Sequence, residues 1–393
     1  MQKKMAGRGV PLSELTPVIV QADMLTPFGA GADLCFESIL AKQSAVATVK
    51  RFNTAEFTSR IAATIRDLQY HGETSLVMQM LERLFALSGP GIPADAALLL
   101  ATTKGEIDLL EKSLLGKGGD SAESRLDRLL AKVADLTGAR GPSAVVSAAC
   151  TSSSAAVGRA AAMIRSGKTE CVLVAACDSV TEFIYSGFSS LMALDAVPAR
   201  PFDAARKGLS LGEAAAFSLL MSEERANREG RNILCEIAGW GMGDDANHMT
   251  GPSRASEGLI SAIQGALSSA AVAPGDIDFI SAHGTGTSYN DEMEMRAFRA
   301  LFSATTPPVY SVKGAVGHTM GAAGLLETII AMKSLKASTV PPTVNLQCPD
   351  NGARGWVSSE PALLKRAKRA LVVNSGFSGV NTALVLNLPL VKP

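Results

Sequence analysis

One cysteine sits where a nucleophile would. Ala144-Val145-Val146-Ser147-Ala148-Ala149 reads as a short apolar strand running into Cys150. Thr151-Ser152-Ser153-Ser154-Ala155-Ala156-Val157-Gly158 reads as a helix of very small residues opening behind it. A thiol at the positive end of a helix dipole is drawn toward thiolate, the form that attacks carbonyl carbon. Small residues let such a helix pack close to its neighbours, which holds the sulfur in place. The plain alternative is a small buried hydrophobe, the ordinary fate of a free cysteine.

Three other stretches carry chemistry. Ser281-Ala282-His283-Gly284-Thr285-Gly286-Thr287 delivers His283 from a strand into a loop of glycines and hydroxyls. Lys313-Gly314-Ala315-Val316-Gly317-His318 sets a lysine and a histidine five residues apart at a second strand end. Glu327 follows nine residues after His318, about two and a half helical turns on. Asn374-Ser375-Gly376-Phe377-Ser378-Gly379-Val380-Asn381 is a glycine-rich turn between apolar strands, able to aim backbone N–H groups at an oxyanion. Singly, each has a structural reading: a satisfied core histidine, a strand-end cation, a core phenylalanine. Together they assemble a nucleophile, two imidazoles, an amine and an acid at strand ends of one chain.

The rest of the 393 residues must position these groups. Apolar residues make up 47% and aromatics 5%, with 36 glycines, which suits tightly packed helices and close turns. Charge is balanced, 37 basic against 37 acidic residues, so no nucleic-acid or membrane-binding surface is implied. The six cysteines form no C-x-x-C pair and only four histidines occur, so neither a disulfide framework nor a metal site is expected. Cys171 and Cys177 read as core. The basic start, Met1-Gln2-Lys3-Lys4-Met5-Ala6, leads into no signal-peptide core, and no run is long enough to span a membrane. A cytoplasmic protein with reduced thiols is the expectation.

Strands are expected at Pro17–Asp23, Ala96–Thr103, Glu170–Asp178, Ala214–Met221, Ile233–Gly239, Ile277–Ser281, Val309–Val312, 369–375 and 380–388. Helical patterning covers 55–87, 106–136, 254–270, 291–302 and 319–335. Residues 180–195 are polar and aromatic and suit a pocket wall. Gly29-Ala30-Gly31 lacks the third glycine and acidic partner of a dinucleotide fingerprint. Strand, reactive residue and Ala/Gly-rich helix recur at 147–166 and at 313–334. Two halves, 1–230 and 231–393, with their small-residue helices back to back would form an α/β/α/β/α body with mixed, mostly parallel sheets.

These residues resemble the β-ketoacyl-acyl carrier protein synthases of the thiolase superfamily, the cysteine–histidine–histidine condensing enzymes of fatty acid and polyketide synthesis. The likeness runs from Val18 to Leu386. It includes Ala149-Cys150-Thr151-Ser152, Pro201-Phe202-Asp203 through Gly212-Glu213, His283 to Thr287, Lys313 to Glu327, and Gly376-Phe377. The resemblance implies a thiolase-like fold and decarboxylative condensation of a malonyl thioester with an acyl group held on Cys150. His283 and His318 would hydrogen-bond the malonyl thioester carbonyl, and Lys313 and Glu327 would form a supporting ion pair. The backbone N–H groups of Cys150 and Phe377 would make the oxyanion hole. Thr285, Thr287, Phe202 and Asp291 would bind substrate, with Glu294 a second acidic residue behind the first histidine. No cofactor is implied beyond the phosphopantetheine of the acyl carrier protein. That carrier and a like or related ketosynthase subunit, in a homodimer or heterodimer, are the implied partners, with Arg206 and Lys207 as docking residues.

The chain also departs from the pattern. Gly376-Phe377-Ser378-Gly379 stands where Gly-Phe-Gly-Gly is usual, and Ser375 where an aromatic is common. Ser378 restricts a backbone position glycine would leave free. Tyr289-Asn290-Asp291-Glu292, the Ala214 after Glu213 and a first strand without glycines differ too. These point toward polyene or polyketide building. A starter-type synthase would carry asparagine in place of His318, and a degradative thiolase a second cysteine in the final turn. A chain-length-determining partner subunit would lack Cys150.

Overall fold

Residues 15–88 and 91–389 are described by a computed structural model; the basic stretch 1–6 lies outside them. Ten strands make one path: β1 (Pro17–Thr26), β2 (Ala97–Ala101), β3 (Ser143–Val146), β4 (Cys171–Asp178), β5 (Ala214–Ser222), β6 (Cys235–Asp244), β7 (Phe279–Ser281), β8 (Val309–Tyr310), β9 (Arg369–Ser375) and β10 (Val380–Asn387). Their spatial order is β8-β7-β9-β10-β6-β1-β5-β4-β2-β3, with a short Gly29–Ala30 strand added on β1. The first five run β3-β2-β4-β5-β1 and the last five β8-β7-β9-β10-β6, so the strand order repeats. Directions repeat as well. β2 is parallel to β3 and β4 as β7 is to β8 and β9, and the remaining neighbours are antiparallel. Two residue pairs, Val18 with Glu236 and Ile19 with Cys235, join the halves.

Strand alternation explains the layers. Val172, Val174 and Ala176 of β4 and Ala370 and Val372 of β9 face a shared inner core. Leu173 and Ala175 turn to an outer core under helix α1 (Leu76–Ser88), whereas Leu371 and Val373 turn to another. The inner core holds two small-residue helices, α2 (Ser152–Arg165) and, beyond α3 (Glu182–Ser190), α4 (Glu257–Ala270) and α5 (Ser288–Phe302) in the chain, α6 (Ala323–Ala337). Helices α4 and α5 cover the second outer face. This is the five-layered body expected, but its strands form one continuous path that is not mostly parallel: five of the nine neighbouring pairs are antiparallel, because consecutive strands such as β9 and β10 pair directly. Strands apolar on both sides are what such burial requires. Cys171 and Cys177 are buried in the first outer core.

Where α2 meets α6 there is no room for a side chain at Gly324. A Cβ there would lie 2.7 Å from Ser154 Cβ, and 2.8 Å from both Ser154 N and Asn374 Oδ1. Gly324→Ala is expected to lower unfolding stability by about 1–3 kcal/mol, read from the urea midpoint, by overpacking this crossing.

The helical reading of 55–87 holds only from Leu76. Its first part forms a short strand, Ile61–Ala62, against Ala47–Thr48. Ala63 N–H donates to Leu211 O (2.8 Å) and Ile65 N–H to Glu213 (2.7 Å), so tertiary partners take the backbone groups a helix would have used. Helix α1 starts where Ser75 Oγ accepts Met78 N–H, an N-cap. The helical patterning of 106–136 divides into helices at Ile107–Leu114 and Leu126–Thr137.

Candidate active site

Cys150 sits on a bend between β3 and α2 that its neighbours tie down. Ala149 is left-handed (φ 48°), a strained state for a residue with a Cβ. Thr151 Oγ1 donates to Ala148 O (2.6 Å), and Ser152 Oγ accepts Ala148 N–H (2.9 Å) and donates to Ala149 O (2.6 Å). The Gly376–Phe377 turn after β9 presses on this bend, and a Cβ on Gly376 would lie 3.3 Å from Cys150 N. Phe377 N–H is thereby aimed at Cys150 Sγ.

The histidines converge on the same sulfur. His318 Nε2 is 3.0 Å from Cys150 Sγ, and the His283 and His318 rings stand edge to face, 5.1 Å apart. Behind His283 lies a buried charged cluster. Lys313 Nζ bonds Glu327 Oε1, His283 O and, at 3.2 Å, His283 Nδ1. Asn374 Nδ2 donates to Glu327 Oε2 (2.5 Å) and lies 3.4 Å from His283 Nδ1. Lys313 and Glu327 are each 1% exposed. An ammonium and an amide NH₂ are donors only, so His283 Nδ1 must accept and the ring carries its proton on Nε2. Nδ1 of His318 has no partner among the described residues, so its tautomer is not pinned.

Burial, then the Lys313 charge, holds both imidazoles well below the usual histidine range, so both are neutral. Burial also pushes the Cys150 thiol up to about 12, against the pull of Lys313 and of Phe377 N–H. The sequence expectation of a helix-favoured thiolate is therefore corrected. Burial of the sulfur opposes the pull of the helix terminus and favours a resting pair of thiol and neutral imidazole.

A cavity of about 450 Å³ opens over this cluster. Phe188, Leu191, Ala193 and Leu209 line its apolar side, and Thr285 and Thr287 its polar side. The two threonine hydroxyls are 2.8 Å apart. Phe377 stacks on Phe188 (5.7 Å between centroids). Ser378 occupies the left-handed region (φ 69°) and donates its N–H to Met249 O (2.7 Å), the restriction its replacement of glycine implied.

Residues 128–226 match the family described as beta-ketoacyl synthase, N-terminal domain, and 234–347 match beta-ketoacyl synthase, C-terminal domain. The 3-oxoacyl-[acyl-carrier-protein] synthase 2 of Coxiella burnetii is 30% identical over 405 residues, 94% of this chain and 98% of its own. The chain belongs to the β-ketoacyl synthase family. Its members with that name are acyltransferases. Another relative, the tetracenomycin polyketide synthase ketoacyl synthase alpha subunit of Streptomyces glaucescens, is 30% identical over 417 residues, 96% of this chain and 98% of that one. A solved structure titled the ishigamide ketosynthase/chain length factor superposes with a TM-score of 0.86 at 27% identity, over 96% of this chain and 100% of that one.

Within this β-ketoacyl synthase fold, three sequence-derived site residues lie elsewhere than expected. Phe202 and Asp291 do not line the cavity over Cys150. Asp291 is buried and accepts the N–H groups of Phe202 (2.8 Å) and Gly286 (3.2 Å), while the Phe202 ring fills the space beside Gly284. Both support the His283 loop from behind. Arg206 is not a free docking cation either. Its side chain is 7% exposed and pairs with Asp350 (2.6 Å) and Asp291 (3.5 Å). Lys207, by contrast, is exposed at the cavity rim.

Three acids and an amide complete the site's support. Glu294 accepts the N–H groups of His283 and Gly284 (2.7 Å each), and burial beside Asp291 pushes it up to about 8. Asp178 accepts from Thr102, Thr103 and Gly321, tying β2 and β4 to the turn before α6. Glu213 closes a two-pronged pair with Arg51 (2.6 and 2.7 Å). Asn374 was visible only as part of a turn, since nothing in its spacing announced a contact with Glu327. No helix among the described residues is long and apolar enough to cross a membrane.

Proposed function

We propose that this chain elongates acyl chains by decarboxylative condensation, with Cys150 as the acyl carrier residue. The 3.0 Å approach of His318 Nε2 to Cys150 Sγ, beside a His283 whose Nε2 carries the proton, is the observation that carries this reading. In the first half-reaction Sγ attacks the carbonyl carbon of an acyl thioester on acyl carrier protein. The thiol proton passes to His318 and on to the departing phosphopantetheine sulfur. Phe377 N–H and Cys150 N–H face the developing oxyanion. In the second, malonyl thioester loses CO₂, and the enolate oxygen takes hydrogen bonds from His283 and His318. The enolate carbon attacks the acyl carbon, the Cys150 thiolate leaves, and one proton is taken up from solvent. Thr285 and Thr287 hold the pantetheine arm, and the apolar wall of Phe188, Leu191 and Leu209 takes the growing chain. Lys207 is assigned to carrier docking, and no cofactor beyond the carrier's arm is required.

The ishigamide structure's title names a ketosynthase with a chain length factor, which supports a heterodimer with a related subunit over a homodimer. A chain-length-determining role for this chain itself is not favoured, because sulfur, imidazoles and ion pair are all in place. The test separates the half-reactions. Mass spectrometry after incubation with acyl-loaded carrier shows an adduct on Cys150 in the parent and in His283→Ala. Condensation falls in His283→Ala by about 10²–10⁴-fold. Equal loss of loading and condensation would contradict the division of labour.

A further inference from the structure

Asn374 is wholly buried at the end of β9, one residue before the cavity-lining Ser375. Its amide meets two partners, Glu327 Oε2 at 2.5 Å and His283 Nδ1 at 3.4 Å. The amide orientation follows from chemistry. Turned over, Oδ1 would face the Glu327 carboxylate, acceptor against acceptor. We propose that Asn374 is a positioning residue that keeps the His283 proton on Nε2, facing the cavity.

Two routes lead from the amide to the imidazole. The direct one is the second N–H, which faces Nδ1 and disfavours a proton there. The indirect one runs through Glu327. Burial pushes that carboxyl toward its neutral form, and Lys313 and Asn374 oppose this. Without the amide, Glu327 Oε2 has no donor and the carboxyl protonates more readily. A neutral carboxyl attracts the Lys313 ammonium less strongly, so the donor that lies 3.2 Å from His283 Nδ1 is anchored less firmly. His283 Nδ1 then loses one of its two donors outright, and the other is held less firmly. A tautomer with the proton on Nδ1 presents a lone pair to the thioester oxygen, where a donor is required.

This rests on the condensing reading above, so the experiment has one arm that does not use activity. In full-length protein with ¹⁵N-labelled histidine, the His283 signals, assigned with His283→Gln, report which nitrogen is protonated. The parent shows Nε2–H. Asn374→Leu, nearly equal in volume, shows a mixture or Nδ1–H. In that variant decarboxylation of malonyl thioester falls by about 10–100-fold, while acyl loading of Cys150 stays within about threefold of the parent. Asn374→Asp serves if the leucine variant fails to fold, because its carboxyl beside Glu327 removes both amide donors at the same size. Nδ1–H in the parent overturns the proposal without any variant. So does a parent-like tautomer in both variants, or an equal loss of loading and decarboxylation. Correct tautomers in a parent that does not condense would instead sink the condensing reading and leave Asn374's role standing.

Discussion

A Cys150→Ala chain folds as the parent does, forms no acyl thioester, and still releases CO₂ from a malonyl thioester. Alanine removes one buried atom from a bend held by the Thr151 and Ser152 hydroxyls rather than by the thiol. The expected stability change is under about 1.5 kcal/mol. Condensation depends on the sulfur outright, and deletion of a nucleophile typically costs on the order of 10⁶-fold. Decarboxylation depends on His318 and on His283 with Lys313, Asn374 and Glu327 behind it, and of these only His318 loses a partner, the Cys150 sulfur. Intact-mass analysis for the acyl adduct, set beside CO₂ release, measures both. An adduct persisting in the variant, for instance on the exposed Cys348, would remove Cys150 from the mechanism.

Sequence patterning located the strands because most are apolar on both faces, as in β2 and β4, and end at a polar or small residue. The reactive groups were readable for the same reason. His283 comes two residues after the buried strand β7 and Cys150 four residues after β3, a half-exposed edge strand, and in both places the change from apolar to chemically active residues is conspicuous. Lys313 instead opens a single helical turn, Lys313–Val316. What could not be read was which charges are used internally. Arg206 and Lys207 are adjacent, yet one is enclosed by Asp350 and Asp291 and the other faces solvent. Only the tertiary path of residues 291 and 350 distinguishes them. Asp291 and Phe202 behaved alike, near the site in space but turned toward the loop's back. The alternation of Gly239, Gly241 and Gly243 takes its meaning only from the fold. A Cβ at any of them would come within 2.2 Å of a backbone oxygen of α4, so the glycines let that helix lie directly on β6. The stretch 55–75 misled because its apolar spacing is helical, while partners far along the chain, Leu211 and Glu213, claim its backbone.

Lys313→Met is expected to be the most damaging single change, and Lys313→Met with Glu327→Leu to show why. Both charges are almost fully buried. Removing one partner of such a pair typically costs about 3–5 kcal/mol, because the other charge remains unpaired in a dry site. Replacing both with apolar residues of similar volume is often neutral or stabilising. The single variant also acquires a pH dependence of defined sign. Glu327 is already pushed up by burial, and Lys313 is the main opposing influence. Without Lys313 the folded carboxyl holds its proton further above the unfolded value of about 4.3. The native state then binds more protons than the unfolded one, so stability falls as pH rises from that value toward the folded pKa. Urea unfolding of parent, single and double variants between pH 5 and 8 reads this directly. Relative to the parent, whose own slope includes Glu294 and the two histidines, the single variant loses additional stability with rising pH, and the double variant follows the parent. Activity does not return with stability. In the double variant His283 Nδ1 keeps only the Asn374 amide, and the ammonium that fixed the ring is gone. A double variant that regained both stability and condensation would mean the pair serves the fold alone.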